Sequence, residues 1–128
     1  MNYMYYKTFP NEEKGVVIVK AFRAKDELID EVQNFCYENG LFLYADFFNK
    51  FFKKYSNSLD SLYGRATCNT TAGDTFNLEY GERLATERLE IKYNKLRGKI
   101  YEDLFNHLVK ASGQTAKKIA KICRVTKI

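Results

Sequence analysis

The sequence predicts an α+β fold: a small antiparallel sheet, helices packed mainly on one face, and a long C-terminal helix. Three observations predict it. Gly15–Phe22 (GVVIVKAF) is a β-branched run of strand length. Apolar residues recur at helical spacing over Asp26–Tyr37 and again through the second half of the chain. Small residues stand at Gly64, Ala66 and Cys68 on a predicted strand, and at Gly81 and Ala85 on the helix predicted to follow it. Helix and strand backbones approach closely only where side chains are small. At 128 residues the chain reads as a single domain, 1–128, large enough to bury a core.

The elements follow in order. Asn2–Thr8 is rich in Tyr and reads as the first strand, joined to Gly15–Phe22 by a hairpin whose polar connection carries the one proline. Asp26–Tyr37 reads as a helix, with Leu28, Ile29, Val32, Phe35 and Cys36 on its apolar face, acids in its first turn, and Asn39-Gly40 as a stop signal. A second helix is predicted over Ala45–Tyr55. Its stripe of Phe47, Phe48, Phe51, Phe52 and Tyr55 faces either the core or a second copy of the chain. Leu59–Cys68 reads as the third strand and Thr70–Thr75 as a loop. Asn77 is placed to cap a helix over Asn77–Ala111, and Gln114–Arg124 reads as a last, separate helix.

Composition bounds the function. The three cysteines, Cys36, Cys68 and Cys123, are odd in number and widely spaced, which points to reduced thiols rather than a disulfide framework. No basic stretch leads into an apolar signal segment, and no apolar run approaches the roughly 20 residues that span a bilayer. The reading is therefore a cytoplasmic protein with no membrane partner. The net charge of +5 is uneven: residues 109–128 hold six basic residues and no acid, and the rest of the chain carries a net −1. That tail, with Lys117, Lys118, Lys121 and Arg124, either solvates a surface helix or meets an anionic partner, non-specific nucleic acid included. Gly113–Ile128 resembles the first half of a helix-turn-helix, but the chain given stops where a recognition helix would begin.

Catalysis finds little support. His107 lies 16 residues from the nearest cysteine, Cys123, far from the clustered spacing of zinc sites. No Cys or Ser stands in a nucleophile–base pattern, and no Gly-rich phosphate motif occurs. We expect no catalytic residue, no metal and no cofactor. Non-covalent binding of an anion fits better. Arg65 lies on the third strand; Arg83 and Arg88 lie on the helix after it. Thr70, Thr71 and Gly73 offer hydroxyls and amides near a helix N-terminus. Phe76, Tyr80 or Tyr63 offers a ring for stacking. Arg83 and Arg88, five positions apart, point in different directions and share a pocket only if a neighbouring subunit contributes. The competing reading pairs them with Glu79, Glu82 or Glu87 on the helix surface.

The pattern G-x-A-x-C, then an acid and Phe, then G-x-x-L-A-x-x-R is matched by Gly64, Ala66, Cys68, Asp74, Phe76, Gly81, Leu84, Ala85 and Arg88. It resembles small uncharacterised proteins of phages and mobile elements of low-GC bacteria. It is also loosely similar to phage anti-Thoeris sponges that sequester cyclic ADP-ribose signals. That resemblance implies an N-terminal sheet with long C-terminal helices, a homo-oligomer, and capture of a nucleotide-type immune signal without turnover in the host cytoplasm. The alternative is an anti-CRISPR-like inhibitor that docks on a host defence protein or its nucleic acid through the basic tail.

Overall fold

The β-branched run becomes the middle strand of the sheet. The computed structural model describes residues 3–41, 49–50, 52–68 and 75–126. Strands β1 (Tyr5–Asn11), β2 (Val16–Phe22) and β3 (Tyr63–Thr67) form an antiparallel sheet in the order β1-β2-β3. Helix α1 spans Ala24–Glu38, α2 spans Ser56–Asp60, and α3 spans Leu78–Thr126. The fold is α+β, as the sequence predicts. One compact unit, Met1–Leu96, holds the sheet, α1, α2 and the first turns of α3; a second, Arg97–Ile128, holds the rest of α3.

The ladder explains where β1 runs. The Ala21 amide donates to the Leu62 carbonyl at 3.0 Å, and the Cys68 amide donates to the Gly15 carbonyl at 2.6 Å. Backbone groups alternate sides along a strand. Odd residues of β2 therefore bond to even residues of β3, and even residues of β2 bond to odd residues of β1. Pro10, paired with Val17, turns its imide nitrogen to the outer edge, where no ladder bond is lost. The strand consequently continues through Pro10 to Asn11, past the predicted end at Thr8. It also starts later than predicted, at Tyr5. The Tyr3 and Met4 amides donate instead to the Glu27 carboxylate on α1.

One face of the sheet is the core face. Val17, Val19 and Ala21 stand in register with Ala66, Gly64 and Leu62, and all six are buried. Leu28, Val32 and Cys36 on α1, Leu59 on α2, and Ala85 and Leu89 on α3 are buried as well. The Lys25 ammonium donates to Ser56 Oγ at 3.0 Å and ties α1 to α2. Tyr6 shares the core side of β1 by register; burial, aided by the Glu90 carboxylate, raises its phenol above the usual range. Among the described residues of the second unit, Ile100 and Leu104 are buried.

Three elements differ from the sequence reading. Leu59 and Asp60, predicted as the start of a strand, belong to α2, where a helical turn buries Leu59. Gly113 does not divide the last helix: α3 runs unbroken for 49 residues. An interior Gly costs only about 1 kcal/mol, and its neighbours here are mostly good helix formers. Of the predicted helix Ala45–Tyr55, residues 45–48 and 51 lie outside the described residues, and 49–50 and 52–53 are helical. Phe52 and Tyr55 are buried within the chain, so for these two rings the core reading holds and the self-association surface does not.

Helix α3 lies on β3 at backbone distance. A Cβ added to Gly64 would fall 1.8 Å from the Ala85 carbonyl oxygen and 2.7 Å from the Leu89 nitrogen. These two atoms are the i and i+4 ends of one helical hydrogen bond. At Gly81 an added Cβ would meet Val17 Cγ2 at 2.7 Å. Gly98 has nothing within 4 Å of the same position. Gly64→Ala is therefore expected to cost on the order of 3 kcal/mol or more in urea unfolding, at the severe end of overpacking. Gly98→Ala should stabilise by about 0.5–1 kcal/mol, because alanine loses less entropy in a helix. Equal midpoints for the two variants would contradict this packing.

Candidate functional site

The end of β3 and the start of α3 enclose a cleft of about 270 Å³. Its floor is the small-residue contact itself: Val17, Ala66 and Gly81, with Gly15 beside them and Leu84 as a wall. Its rim carries Thr67, Cys68, Thr75, Phe76, Asn77 and Tyr80. The Cys68 thiol donates to the Thr75 carbonyl at 3.5 Å and holds the two sides of the rim together. Asn77 caps α3: its Oδ1 accepts from the Tyr80 amide at 3.0 Å, and its carbonyl accepts from the Gly81 amide at 3.0 Å. That geometry sets Phe76 and Tyr80 as two rings on one opening. Tyr80 is 57% exposed, so its ring is available to a ligand. A shallower opening continues past Asn77 and Tyr80 to Glu79 and Arg83. There the Arg83 guanidinium lies 5.6 Å from the Tyr80 ring centroid.

The structure separates the predicted arginines. Arg83 lines the opening beside the cleft, not the cleft itself. Arg88 turns to β3, where Nη1 donates to the Arg65 carbonyl at 2.7 Å. Lys92, one turn on, donates from Nζ to the Tyr63 carbonyl at 2.8 Å and sits 4.4 Å from the Tyr63 ring centroid. Tyr63 and Arg65 are the residues whose backbone groups point out of the sheet, so the two cations cover part of an open β edge. The Arg65 side chain lies on the sheet face away from the cleft, in register with Ile18. No described carboxylate lies within ion-pair distance of Arg83 or Arg88, so neither takes the helix-surface pairing that the sequence offers.

Of the other predicted contacts, Phe76 and Tyr80 line the cleft, and Thr70, Thr71 and Gly73 lie outside the described residues. Lys117, Lys118, Lys121 and Arg124 are all exposed, and all belong to α3 rather than to a separate helix. Cys68, Thr75, Asn77 and Leu84 join the lining without having been predicted as contacts. Their signal was positional: Cys68 directly follows β3, and Asn77 caps α3. Among the described residues no three His, Cys, Asp or Glu side chains gather where a metal ion could be held. No described helix is long and apolar enough to cross a membrane. Comparison with protein-family profiles, curated proteins and solved structures finds no match.

The patterned residues serve both the helix–strand packing and the cleft, which Ala66, Cys68, Phe76, Gly81 and Leu84 line. Gly64, Ala66, Gly81 and Ala85 pack helix on strand, and Arg88 fastens it. The cysteines report on this arrangement. Cys36 is buried and its thiol is pushed up by that burial; Cys68 is half-buried; Cys123 is exposed. Thiolate is the reactive form. Maleimide labelling followed by mass spectrometry should modify Cys123 first, Cys68 more slowly, and Cys36 only on unfolding. Early labelling of Cys36 would contradict the core described above.

Proposed function

We propose that this protein binds a small anionic nucleotide-type ligand in the cleft and releases it unchanged. The observation that carries the reading is the place of Tyr80, which lines the cleft together with Phe76 and also lines the adjoining opening, where the Arg83 guanidinium lies 5.6 Å from its ring centroid. A base can stack on a ring while the guanidinium holds a phosphate bidentately. The volume is close to the lower bound of small-molecule pockets, about 300 Å³. A ligand larger than a mononucleotide would extend into the shallower opening or onto a second copy of the chain. In that reading the protein is a homo-oligomeric phage counter-defence sponge that sequesters an immune signal in the host cytoplasm.

A second reading rests on a separate observation. Lys117, Lys118, Lys121 and Arg124 are exposed on α3, with Ile119 and Ile122 exposed among them. An exposed cationic helix with apolar residues between its charges suits docking on a host defence protein or its nucleic acid, as an inhibitor would.

Calorimetry and thermal melting against cyclic ADP-ribose isomers and cyclic oligonucleotides separate the two. Ligand capture should raise the melting temperature, by the equivalent of about 2.7 kcal/mol at a hundredfold excess over Kd. Arg83→Ala should weaken binding by about 1.5–3 kcal/mol, one charged hydrogen bond, without lowering the melting temperature of the free protein. The ligand should be recovered intact after heat denaturation. No heat with any of these ligands, together with a partner captured only when the tail lysines are present, would replace the sponge with the inhibitor.

A further inference from the structure

The face of the sheet opposite the core buries Val16 at one end and has no buried stripe beyond it. It carries rings and cations in register. Tyr5 stands opposite Phe22, Lys7 opposite Lys20, and Phe9 opposite Ile18; on the other side of β2, Lys20 meets Tyr63 and Ile18 meets Arg65. Side chains paired across strands share a face, so these positions form one surface. Tyr5 is 47%, Phe9 49% and Tyr63 44% exposed. None of these strand positions on the face is an Asp or Glu.

The charge on this face is unbalanced in a specific way. Lys7 and Lys20 are direct cross-strand partners, an arrangement that destabilises a sheet when both are charged. Both ammonium groups lie 5.3 Å from the Phe22 ring centroid, and that ring is stacked on Tyr5 at 5.3 Å and 12°. The described residues place no carboxylate within ion-pair distance of Lys7, Lys20 or Arg65. Two like charges held over one ring pair, with Arg65 on the adjoining strand, leave a local excess of positive charge. A polyanion supplies the missing countercharge.

We propose that this face binds single-stranded nucleic acid, with bases stacked on Phe9, Tyr63 and the Tyr5–Phe22 pair and phosphates held by Lys7, Lys20 and Arg65. The occupant follows from the mixture. Phosphates alone would need no exposed rings, and an acidic peptide would leave the rings without a partner. Exposed rings on a sheet stack two or three bases in a known mode of single-strand recognition. Duplex bases are already stacked and cannot lie on such rings. The proposal uses none of the cleft or basic-tail residues, so it stands or falls independently of the function proposed above.

Fluorescence anisotropy of the full chain tests it, with a labelled oligo-thymidine of about ten nucleotides and the matched duplex, since single-strand sites span about 4–16 nucleotides. The single strand should bind more tightly than the duplex. Phe9→Ala should weaken single-strand binding about tenfold, the scale of one base stack. Lys7→Gln with Lys20→Gln should weaken it too and reduce the salt slope by about two, one for each phosphate that is no longer neutralised. That double variant should melt no lower than the wild type, because it removes a repulsive pair. Lys117→Gln with Lys118→Gln and Lys121→Gln should keep the preference for the single strand. Duplex binding as tight as single-strand binding, face variants that bind like the wild type, equal competition by polyglutamate, or no binding at all would each overturn the proposal.

Discussion

The fold depends on one hydrogen bond of α3 lying against one residue of β3. The Ala85 carbonyl and the Leu89 amide occupy the space that a side chain at position 64 would need. Only glycine leaves that space empty. With the backbones that close, Ala85 and Leu89 are buried against the sheet, Gly81 admits Val17, and Arg88 and Lys92 reach back to the β3 carbonyls. The cleft is what remains where this packing ends. Its floor is made of the same small residues, and its rim is the residues that end β3 and begin α3.

How much of this was legible in the sequence follows from which forces are local. The β2 run, α1, the Asn77 cap and the small-residue packing were legible, because each is written in neighbouring residues or in a simple period. The course of β1 was not. Pro10 reads as a break, yet alternation along an edge strand turns its missing N–H outward, a fact set by the register with β2. Leu59 was misread for a related reason: a short apolar stretch fits a strand or a helical turn equally well, and its burial in α2 decides between them. Gly113 failed as a breaker because propensity is weak beside the cooperativity of a long helix.

The candidate site was legible in its rings and not in its charges. Phe76 and Tyr80 sit within the first helical turn or just before it, so the cap alone places them. Arg65 and Arg88 were grouped with Arg83 by nearness in sequence. Strand alternation sends Arg65 to the far face, and the angle between positions 83 and 88 sends Arg88 to the strand edge. The far face was legible only in part, since Tyr5 and Lys7 alternate along the predicted strand but Phe9 fell in the predicted connection. Its meaning needed the register, which alone brings Lys7 opposite Lys20.

Native-state hydrogen exchange resolved to single amides tests the central packing most directly. The Leu89 amide, bonded to Ala85 and covered by Gly64, should exchange only through global unfolding. The amides of residues 117–124, on an exposed stretch of the same helix, should exchange faster by local opening. If Leu89 exchanges as fast as Lys117 or Lys121, α3 does not rest on β3 as described, and neither the cleft nor the division of the arginines follows.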